Sequence, residues 1–377
     1  MPIEFSKPRI DSRALSYVQE SLQSRALSGD GPFTARCHEW LQRQLGARVL
    51  LTHSGTAALD MSALLAEVGP GDEVILPSFT FTSTANAFVL RGATPVFIDI
   101  REDTLNLDET LLGQALTART KVIVPVHYAG VGCEMDTIME FAQAHGLMVI
   151  EDAAQAHLSH YKGKALGTFG AMGCISFHES KNLVSGEGGA LVLNDDRLLE
   201  RAFILREKGT NRTAFMNRKV DKYEWLDLGS SYLPSDILAA LLLAQLEDST
   251  SITAHRKAIW QRYHEAFGPA ERDGALMRPH PPAHAPANGH IYYIVLPTVD
   301  RARKMQAHLK GAGVPSFRHY VPLHSAPAGR RFGRTGSEMT VTDRVSETLM
   351  RLPIHAGLEG HDVDRIVTLV YDALSAV

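Results

Sequence analysis

The chain of 377 residues contains only three cysteines, Cys37, Cys133 and Cys174. Their odd number and wide spacing argue against a disulfide framework and against a metal site built from cysteines. Positive charge is not in excess either, because 38 Lys and Arg residues face 42 Asp and Glu residues, for a formal net charge of −4. We therefore expect no bound metal and no nucleic-acid partner, since nucleic acid is recruited by a broad basic surface.

Long hydrophobic runs are also lacking. The longest one covers residues 237–244, which is too short to cross a bilayer, and it is flanked by Asp236 and Gln245. This run predicts a buried helix. Glu4 and Lys7 interrupt the N-terminal stretch, so we expect no signal peptide. The sequence has no internal repeat and no low-complexity tract, and we expect a soluble cytoplasmic protein without a membrane partner.

What the sequence does contain is a regular alternation of short apolar runs with helical patterns. The apolar runs lie at 48–51, 73–76, 95–100, 121–126 and 147–151, and two more begin at residues 174 and 190. Such alternation predicts an α/β fold with a large, mostly parallel sheet of about seven strands covered by helices.

The pattern changes after residue 245. A long helix over 246–267 leads into a proline-rich stretch, followed by a strand over 291–296, a helix over 301–311 and a strand over 314–320. Closing helices are expected to begin at Ser346 and Asp362. We therefore predict a large domain, residues 1–245, and a smaller α+β domain, residues 246–377.

Polar and aromatic side chains follow the predicted strands at the points where these end. Ligands of parallel sheets bind at the carboxyl ends of the strands, so these side chains are expected to share one site. They are His53, Ser54, Phe81, His127, Asp152 and Ser176.

Lys181 lies in the loop between the strands that begin at 174 and 190. A lysine held beside the sheet can be desolvated, which lowers its pKa and frees its amine as a nucleophile. The alternative is that Lys181 is an ordinary loop lysine exposed to solvent. The other residues of the predicted site favour one of these two interpretations.

Pyridoxal phosphate (PLP) requires a lysine for its aldehyde, an acid for its ring nitrogen, an anion cradle for its phosphate and a plate for its ring. Asp152, at the end of a buried strand, could pair with the ring nitrogen, although it could also cap the next helix. Phe81 could stack on the ring or belong to the core, and Gln155 could bond the ring hydroxyl or face solvent. The cradle, which could also be a simple helix start, would consist of Gly55, Thr56, Ala57 and Ser176.

Six stretches in order carry a family resemblance along nearly the whole chain. They lie at 54–59, 70–75, 124–127, 151–155, 176–181 and 319–324, and the first reads Ser-Gly-Thr-Ala-Ala-Leu. The chain thereby resembles the DegT/DnrJ/EryC1/StrS family of PLP-dependent sugar-nucleotide aminotransferases, which have the aspartate aminotransferase fold, type I. The resemblance implies that Lys181 forms the Schiff base, Asp152 holds the ring nitrogen, Gln155 meets the ring hydroxyl, Phe81 stacks, and the four cradle residues bind the phosphate.

The resemblance also implies a homodimer with shared active sites and L-glutamate as the amino donor. Many members read Gly-Tyr-Asn-Tyr-Arg where this chain has Gly-Ser-Ser-Tyr-Leu at 229–233. Ser231 can replace one hydrogen bond to the partner's PLP phosphate, but Leu233 cannot hold an anion. The site of the donor carboxylate therefore stays open, with Lys208 and Arg212 as candidates.

Within the family, stretches 84–93, 128–139, 206–212 and 229–233 are most similar to transaminases that make TDP-4-amino-4,6-dideoxygalactose for enterobacterial common antigen. The implied substrate is a nucleotide-linked 4-keto-6-deoxy sugar. Candidates for its hydroxyls are His127, Tyr128, His319, Tyr320 and His324, and candidates for its diphosphate are Lys208, Asn211 and Arg212. Each of these residues could instead be packed or simply exposed.

Two other outcomes of the amination remain open, and three other functions are disfavoured. Amination could occur at C3 or give the gluco epimer. A PLP-dependent sugar dehydratase is disfavoured, since some of these enzymes replace the lysine by histidine and others need clustered cysteines. A non-catalytic PLP-fold sensor is disfavoured by the pair of Lys181 and Asp152. A dinucleotide-binding dehydrogenase would require Gly-x-Gly-x-x-Gly after the first strand, where none occurs.

Overall fold

The computed structural model describes residues 3–375, and a large β-sheet forms the centre of the molecule. Its strands, and those of two small sheets, are in chain order β1 (Arg48–Thr52), β2 (Glu73–Pro77), β3 (Thr94–Ile98), β4 (Thr120–Ile123), β5 (Met148–Asp152), β6 (His160–Tyr161), β7 (Lys164–Ala165), β8 (Met172–Ser176), β9 (Gly189–Leu193), β10 (Tyr292–Val295), β11 (Arg334–Thr335) and β12 (Leu349–Leu352).

The central sheet has eight strands in the order β1-β9-β8-β5-β4-β2-β3-β11. The six strands from β8 to β11 in that order run parallel, whereas β9 is antiparallel to both of its neighbours, β1 and β8. Strands such as β2 and β9 are buried along their whole length, as expected for a sheet covered on both faces. The predicted mostly parallel α/β sheet is thus confirmed, and the two-residue strand β11 adds an eighth strand to the seven predicted.

Helices connect and cover these strands. They are α1 (Ser12–Ser24), α2 (Pro32–Leu45), α3 (Gly55–Leu65), α4 (Thr82–Val89), α5 (Leu112–Ala115), α6 (Met135–His145), α7 (Leu199–Arg206), α8 (Arg212–Met216), α9 (Asp236–Glu247), α10 (Ser249–Ala266), α11 (Gly268–Arg272), α12 (Val299–Gly311), α13 (Pro327–Phe332), α14 (Thr340–Thr348) and α15 (Gly360–Ser375).

The C-terminal part differs from the sequence-based expectation in two elements. Residues 314–320 are not a strand, because Pro315 has no N–H to donate and only Phe317 forms a single bridge, to Arg351. The prediction that a helix begins at Ser346 is wrong: α14 begins at Thr340 and already ends at Thr348, and the residues after it form the strand β12.

The early start of α14 has a remote cause. The Asp99 carboxylate, from the end of β3, accepts hydrogen bonds from the backbone N–H groups of Val341 and Thr342, both at 2.8 Å. A carboxylate in this position satisfies the unpaired donors of the first helical turn. The sequence pattern around residues 340–346 does not by itself indicate that Asp99 caps this helix.

Buried side chains form one core on each face of the central sheet and a third core around β10, β12 and α15. Ile3 belongs to the third core together with Tyr292 and Ile366. The N-terminal segment therefore packs against the C-terminal part of the chain. The division at residue 245 stays a prediction.

Among residues 3–375, no single helix is both long and apolar enough to cross a membrane. Helices α9 and α10 together reach the required length and composition, but they meet at a bend of 63°.

Candidate active site

A cleft of about 530 Å³ opens where β1, β5 and β8 end and where the C-terminal part folds over the sheet. This is the edge at which parallel sheets bind their ligands. Ten of the residues expected at the site line this cleft: Ser54, Gly55, Thr56, Phe81, Asp152, Gln155, Ser176, Lys181, His319 and Tyr320.

Lys181 lies in the loop between β8 and β9. Its backbone N–H donates to the carbonyl of His178 at 2.9 Å, and the neighbouring Glu179 N–H donates to Gly186 at 2.9 Å, so the loop is held in a fixed turn. Desolvation lowers the pKa of the Lys181 amine, and although the Asp152 carboxylate opposes this effect, the Arg351 charge adds to it. The shift has the direction that a lysine nucleophile requires.

Asp152 is the last residue of β5 and is only 6% exposed. One carboxylate oxygen accepts a hydrogen bond from the Thr84 hydroxyl at 2.7 Å, and the other accepts from the Ala154 N–H at 3.1 Å. Within residues 3–375 no Lys, Arg or His side chain forms an ion pair with it. A buried carboxylate that has only neutral donors would be stabilised by a cationic ligand group.

The start of α3 forms the corner of the cleft that is predicted to bind the phosphate. Ser54 caps this helix, and its hydroxyl accepts the Ala57 N–H at 3.0 Å, so that Ala57 donor is already used. The N–H groups of Gly55 and Thr56 precede any intrahelical acceptor. A Cβ on Gly55 would lie 2.8 Å from the Ser176 Cβ, so only glycine allows the helix start and the Ser176 hydroxyl to approach this closely.

An aromatic ring and an amide complete the walls. Phe81 is 60% exposed although it is large and apolar, and it faces the cleft at the start of α4. The Gln155 carbonyl oxygen accepts the Ala129 N–H at 2.7 Å, and its amide nitrogen donates to the Tyr320 hydroxyl at 2.9 Å. Because this amide has two hydrogens, it can donate one more bond into the cleft.

We compared the chain with known protein families and with known proteins. Residues 8–371 match the model of the DegT/DnrJ/EryC1/StrS aminotransferase family. The chain belongs to this family. SpsC, a spore coat polysaccharide biosynthesis protein of Bacillus subtilis, is 33% identical over 98% of this chain and 96% of its own. GDP-perosamine synthase of Caulobacter vibrioides is 32% identical over 99% of this chain and 98% of its own.

Solved structures agree with this assignment. The pyridoxamine phosphate form of Spr1654 from Streptococcus pneumoniae has a TM-score of 0.91 at 29% identity and covers 99% of both chains. Its PLP form has a TM-score of 0.90 at 27% identity, over 100% of this chain and 99% of the other. The protein is therefore a PLP-dependent sugar aminotransferase with the type I fold.

The cleft of this aminotransferase fits PLP. The exposed ring of Phe81 can cover the cofactor ring, and the Asp152 carboxylate, which has no cation of its own, can hold a protonated ring nitrogen. The corner of Gly55, Thr56 and Ser176 can take the phosphate. The individual contacts to the cofactor stay predictions.

Three residues predicted for the sugar do not line the cleft. His127 is fully buried beneath it, where its Nε2 contacts the Glu151 carboxylate at 3.0 Å. Tyr128 is also fully buried, and its hydroxyl reaches Nδ1 of His319 at 3.2 Å. His324 lies between Ser78, at 2.8 Å, and Asp343, at 3.3 Å. All three side chains are packed against other residues of the protein, which is the alternative to sugar binding given above.

The residues predicted for the diphosphate also lie outside the cleft of this chain. Lys208 and Arg212 both pair with the buried Glu207, at 3.0 and 2.7 Å. Asn211 donates to the Lys222 carbonyl at 2.9 Å and accepts the Glu224 N–H at 2.8 Å, which fixes the following loop. Ser231, the residue predicted to serve the partner's site, is exposed, and its backbone bridges Glu207.

Sequence reasoning missed Arg351, Thr84 and His290, all of which line the cleft. Thr84 supports Asp152, and His290 is buried with its Nδ1 2.8 Å from Asn182 Oδ1. Arg351 lies in β12, whose other three residues are Leu, Met and Leu. A lone cation within such an apolar strand is a signal that could have identified it.

Proposed function

We propose that this aminotransferase transfers the amino group of L-glutamate to C4 of TDP-4-keto-6-deoxy-D-glucose, giving TDP-4-amino-4,6-dideoxy-D-galactose. The observation that carries the proposal is the cleft that brings Lys181, Asp152 and Phe81 together, in a chain whose stretches resemble the galacto-type enzymes. SpsC and GDP-perosamine synthase, whose names refer to polysaccharide and to a nucleotide-linked amino sugar, support a nucleotide sugar and a role in surface polysaccharides.

Lys181 carries the proton that the reaction moves. Since desolvation lowers its pKa, a larger share of the amine is neutral than in a free lysine and can accept the proton from the donor's α carbon. Asp152 keeps the cofactor's ring nitrogen protonated, and Thr84 fixes the orientation of its carboxylate. When bound, PLP supplies a conjugated ring that accepts the electrons released at that carbon.

We infer that polar side chains on two walls of the cleft bind the sugar. His178, Ser180 and Glu187 line the cleft on the side of the Lys181 loop, and His319 and Tyr320 line it on the side of the C-terminal part. Hydroxyl, carboxylate and imidazole groups suit the hydroxyls of a deoxysugar. We infer that these residues orient the keto carbon, and that this orientation selects C4 over C3.

A homodimer is part of the proposal. Seven large side chains of one segment are 38–79% exposed: Phe215, Met216, Val220, Tyr223, Trp225, Leu226 and Leu228. We call this set the apolar segment. It adjoins Lys208, Arg212 and Ser231 in the sequence, and so many exposed large apolar side chains in one segment are typical of an interface. A second copy that covers the apolar segment would bring those polar residues to the partner's cleft.

Product analysis tests the proposed reaction. The enzyme with PLP and L-glutamate would be incubated with TDP-4-keto-6-deoxy-D-glucose and with its 3-keto isomer, and the products examined by NMR. We expect nitrogen on C4 and a small H3–H4 coupling, because the amine of the galacto product is axial. A large H3–H4 coupling, or nitrogen on C3, would contradict the assignment. The Lys181→Ala variant is the matched control and should give no product.

A further inference from the structure

Arg351 is rigidly held at the wall of the cleft. Its backbone N–H donates to the carbonyl of Phe317 at 2.8 Å, which ties β12 to the segment that carries His319. Its guanidinium carbon lies 4.9 Å from the centroid of the Phe5 ring, and Phe5 in turn packs edge-on against Phe317. The position of the guanidinium is therefore determined by packing.

This guanidinium has no anionic partner in the part of the chain that the structure describes. None of its nitrogens makes a hydrogen bond or an ion pair within residues 3–375, and its Nε is buried and unpartnered. Arg256, which also lines the cleft, differs because it donates to the carbonyls of Gly289 and His290. A partly buried cation without an anionic partner is costly, so a ligand that brings an anion to Arg351 gains the energy of that pairing.

The groups around Arg351 point to a ligand that reacts at Lys181. Arg351 and Lys181 line the same cleft, and the charge of Arg351 contributes to the lowered pKa of Lys181. Burial and the same charge lower the pKa of His319 to about 2, which leaves this imidazole neutral. Besides Lys181, the described residues that line the cleft include two cations, Arg256 and Arg351, and two acids, Asp152 and Glu187. Arg256 and Asp152 already have hydrogen-bond partners, so an anion near Lys181 is left with the unpaired guanidinium of Arg351.

We propose that Arg351 binds the α-carboxylate of the amino donor. This inference rests on the proposed function and extends it to donor recognition. The α-carboxylate is attached to the carbon that bears the reacting amine, so its binding group must lie near Lys181, whereas the distal carboxylate of glutamate is two methylene groups further away. A guanidinium fork matches a carboxylate with two parallel hydrogen bonds. Arg351 would thus supply the anion site that Leu233 cannot.

The two half-reactions separate this role from others. PLP-loaded enzyme would be mixed with L-glutamate in a single turnover, and pyridoxamine phosphate-loaded enzyme with the keto-sugar nucleotide, each followed by cofactor absorbance. The variants are Arg351→Met, which removes the charge at similar length, and Arg351→Lys, which keeps a charge without the fork. Arg318→Met is the matched control, since Arg318 is close in the fold but does not line the cleft.

We expect Arg351→Met to reduce the ratio of the rate constant to the donor's dissociation constant by at least roughly 10- to 150-fold, which is the range for one of the two charged hydrogen bonds that the fork makes. Arg351→Lys should recover part of this loss, and the keto-sugar half-reaction should change less than about threefold. L-glutamine, which keeps the α-carboxylate but lacks the distal one, should show the same loss. Calorimetric binding of 2-oxoglutarate to the PLP-loaded enzyme should weaken by a similar factor.

Each other outcome overturns the proposal. A loss in the keto-sugar half-reaction alone would assign Arg351 to the nucleotide, and equal losses in both would assign it to the fold or the cofactor. A loss with glutamate but not with glutamine would assign it to the distal carboxylate. If Arg351→Met does not fold, the same comparisons with Arg351→Lys decide. A wild-type enzyme that does not react with glutamate would instead refute the proposed function.

Discussion

Replacing Glu151 by glutamine should destabilise the floor of the active site. Glu151 is completely buried next to Asp152, and its two carboxylate oxygens accept four hydrogen bonds. Three come from the backbone N–H groups of Gly167 (2.7 Å), Phe169 (2.6 Å) and Gly170 (2.9 Å). The fourth comes from His127 at 3.0 Å.

The tautomer of His127 follows from its other contact. Its Nδ1 accepts the backbone N–H of Cys133 at 3.2 Å, so the ring proton is on Nε2 and points to Glu151. All four partners of Glu151 are therefore donors. A glutamine at this position has one accepting oxygen, and its NH₂ group would face two of the four donors in either orientation.

The magnitude follows from the two donors left without an acceptor. Each costs about 1–3 kcal/mol when buried, so Glu151→Gln should lower the free energy of unfolding by about 2–6 kcal/mol. Urea unfolding of the holoenzyme measures this change. Glu140→Gln, the same substitution at an exposed site of α6, should stay within about 0.5 kcal/mol of wild type. A Glu151→Gln protein that unfolds at the urea concentration of wild type would refute this reasoning.

Three further predictions concern the cofactor site and the dimer. Phe81→Ala should leave the urea midpoint unchanged but weaken PLP binding about 2- to 12-fold, because an aromatic stack contributes about 0.5–1.5 kcal/mol. Equilibrium dialysis measures this affinity, and an unchanged affinity would exclude stacking. In apoenzyme, the lowered pKa of Lys181 means that the unfolded chain binds more protons than the folded chain at pH values between this pKa and the ordinary value of 10.5. The free energy of unfolding should therefore rise with pH in this range, relative to that of Lys181→Met. A difference between the two proteins that does not change with pH would contradict the lowered pKa. Trp225→Asp, at a side chain 79% exposed in the apolar segment, should shift sedimentation from dimer towards monomer and reduce activity in parallel; a fully active wild-type monomer would exclude shared sites.

The sheet, and many of the residues that line the cleft, could be predicted because local patterns determine their positions. Strands buried on both faces are continuous apolar runs, and the residues that follow their carboxyl ends meet at one edge. Lys181, Asp152 and Phe81 were found in this way, and all three line the cleft. These positions depend on strand order and on little else.

Side-chain direction and contacts between distant segments could not be predicted. His127 also follows a strand, but its ring points below the cleft to Glu151, a difference that the position in sequence does not encode. Arg351 reaches the cleft because β12 folds back over the sheet, and Asp99 starts α14 from a distant strand. Such contacts arise from tertiary packing, which has no local periodicity.

The most direct test of the central claim, that the reaction is organised around Lys181, is reductive trapping of the cofactor. Holoenzyme would be treated with borohydride and digested, and the peptide that carries pyridoxyl phosphate identified by mass spectrometry. We predict a single modified peptide with the label on Lys181, and none in the Lys181→Ala protein. A label on another lysine, or equal labelling of the Lys181→Ala protein, would contradict the account.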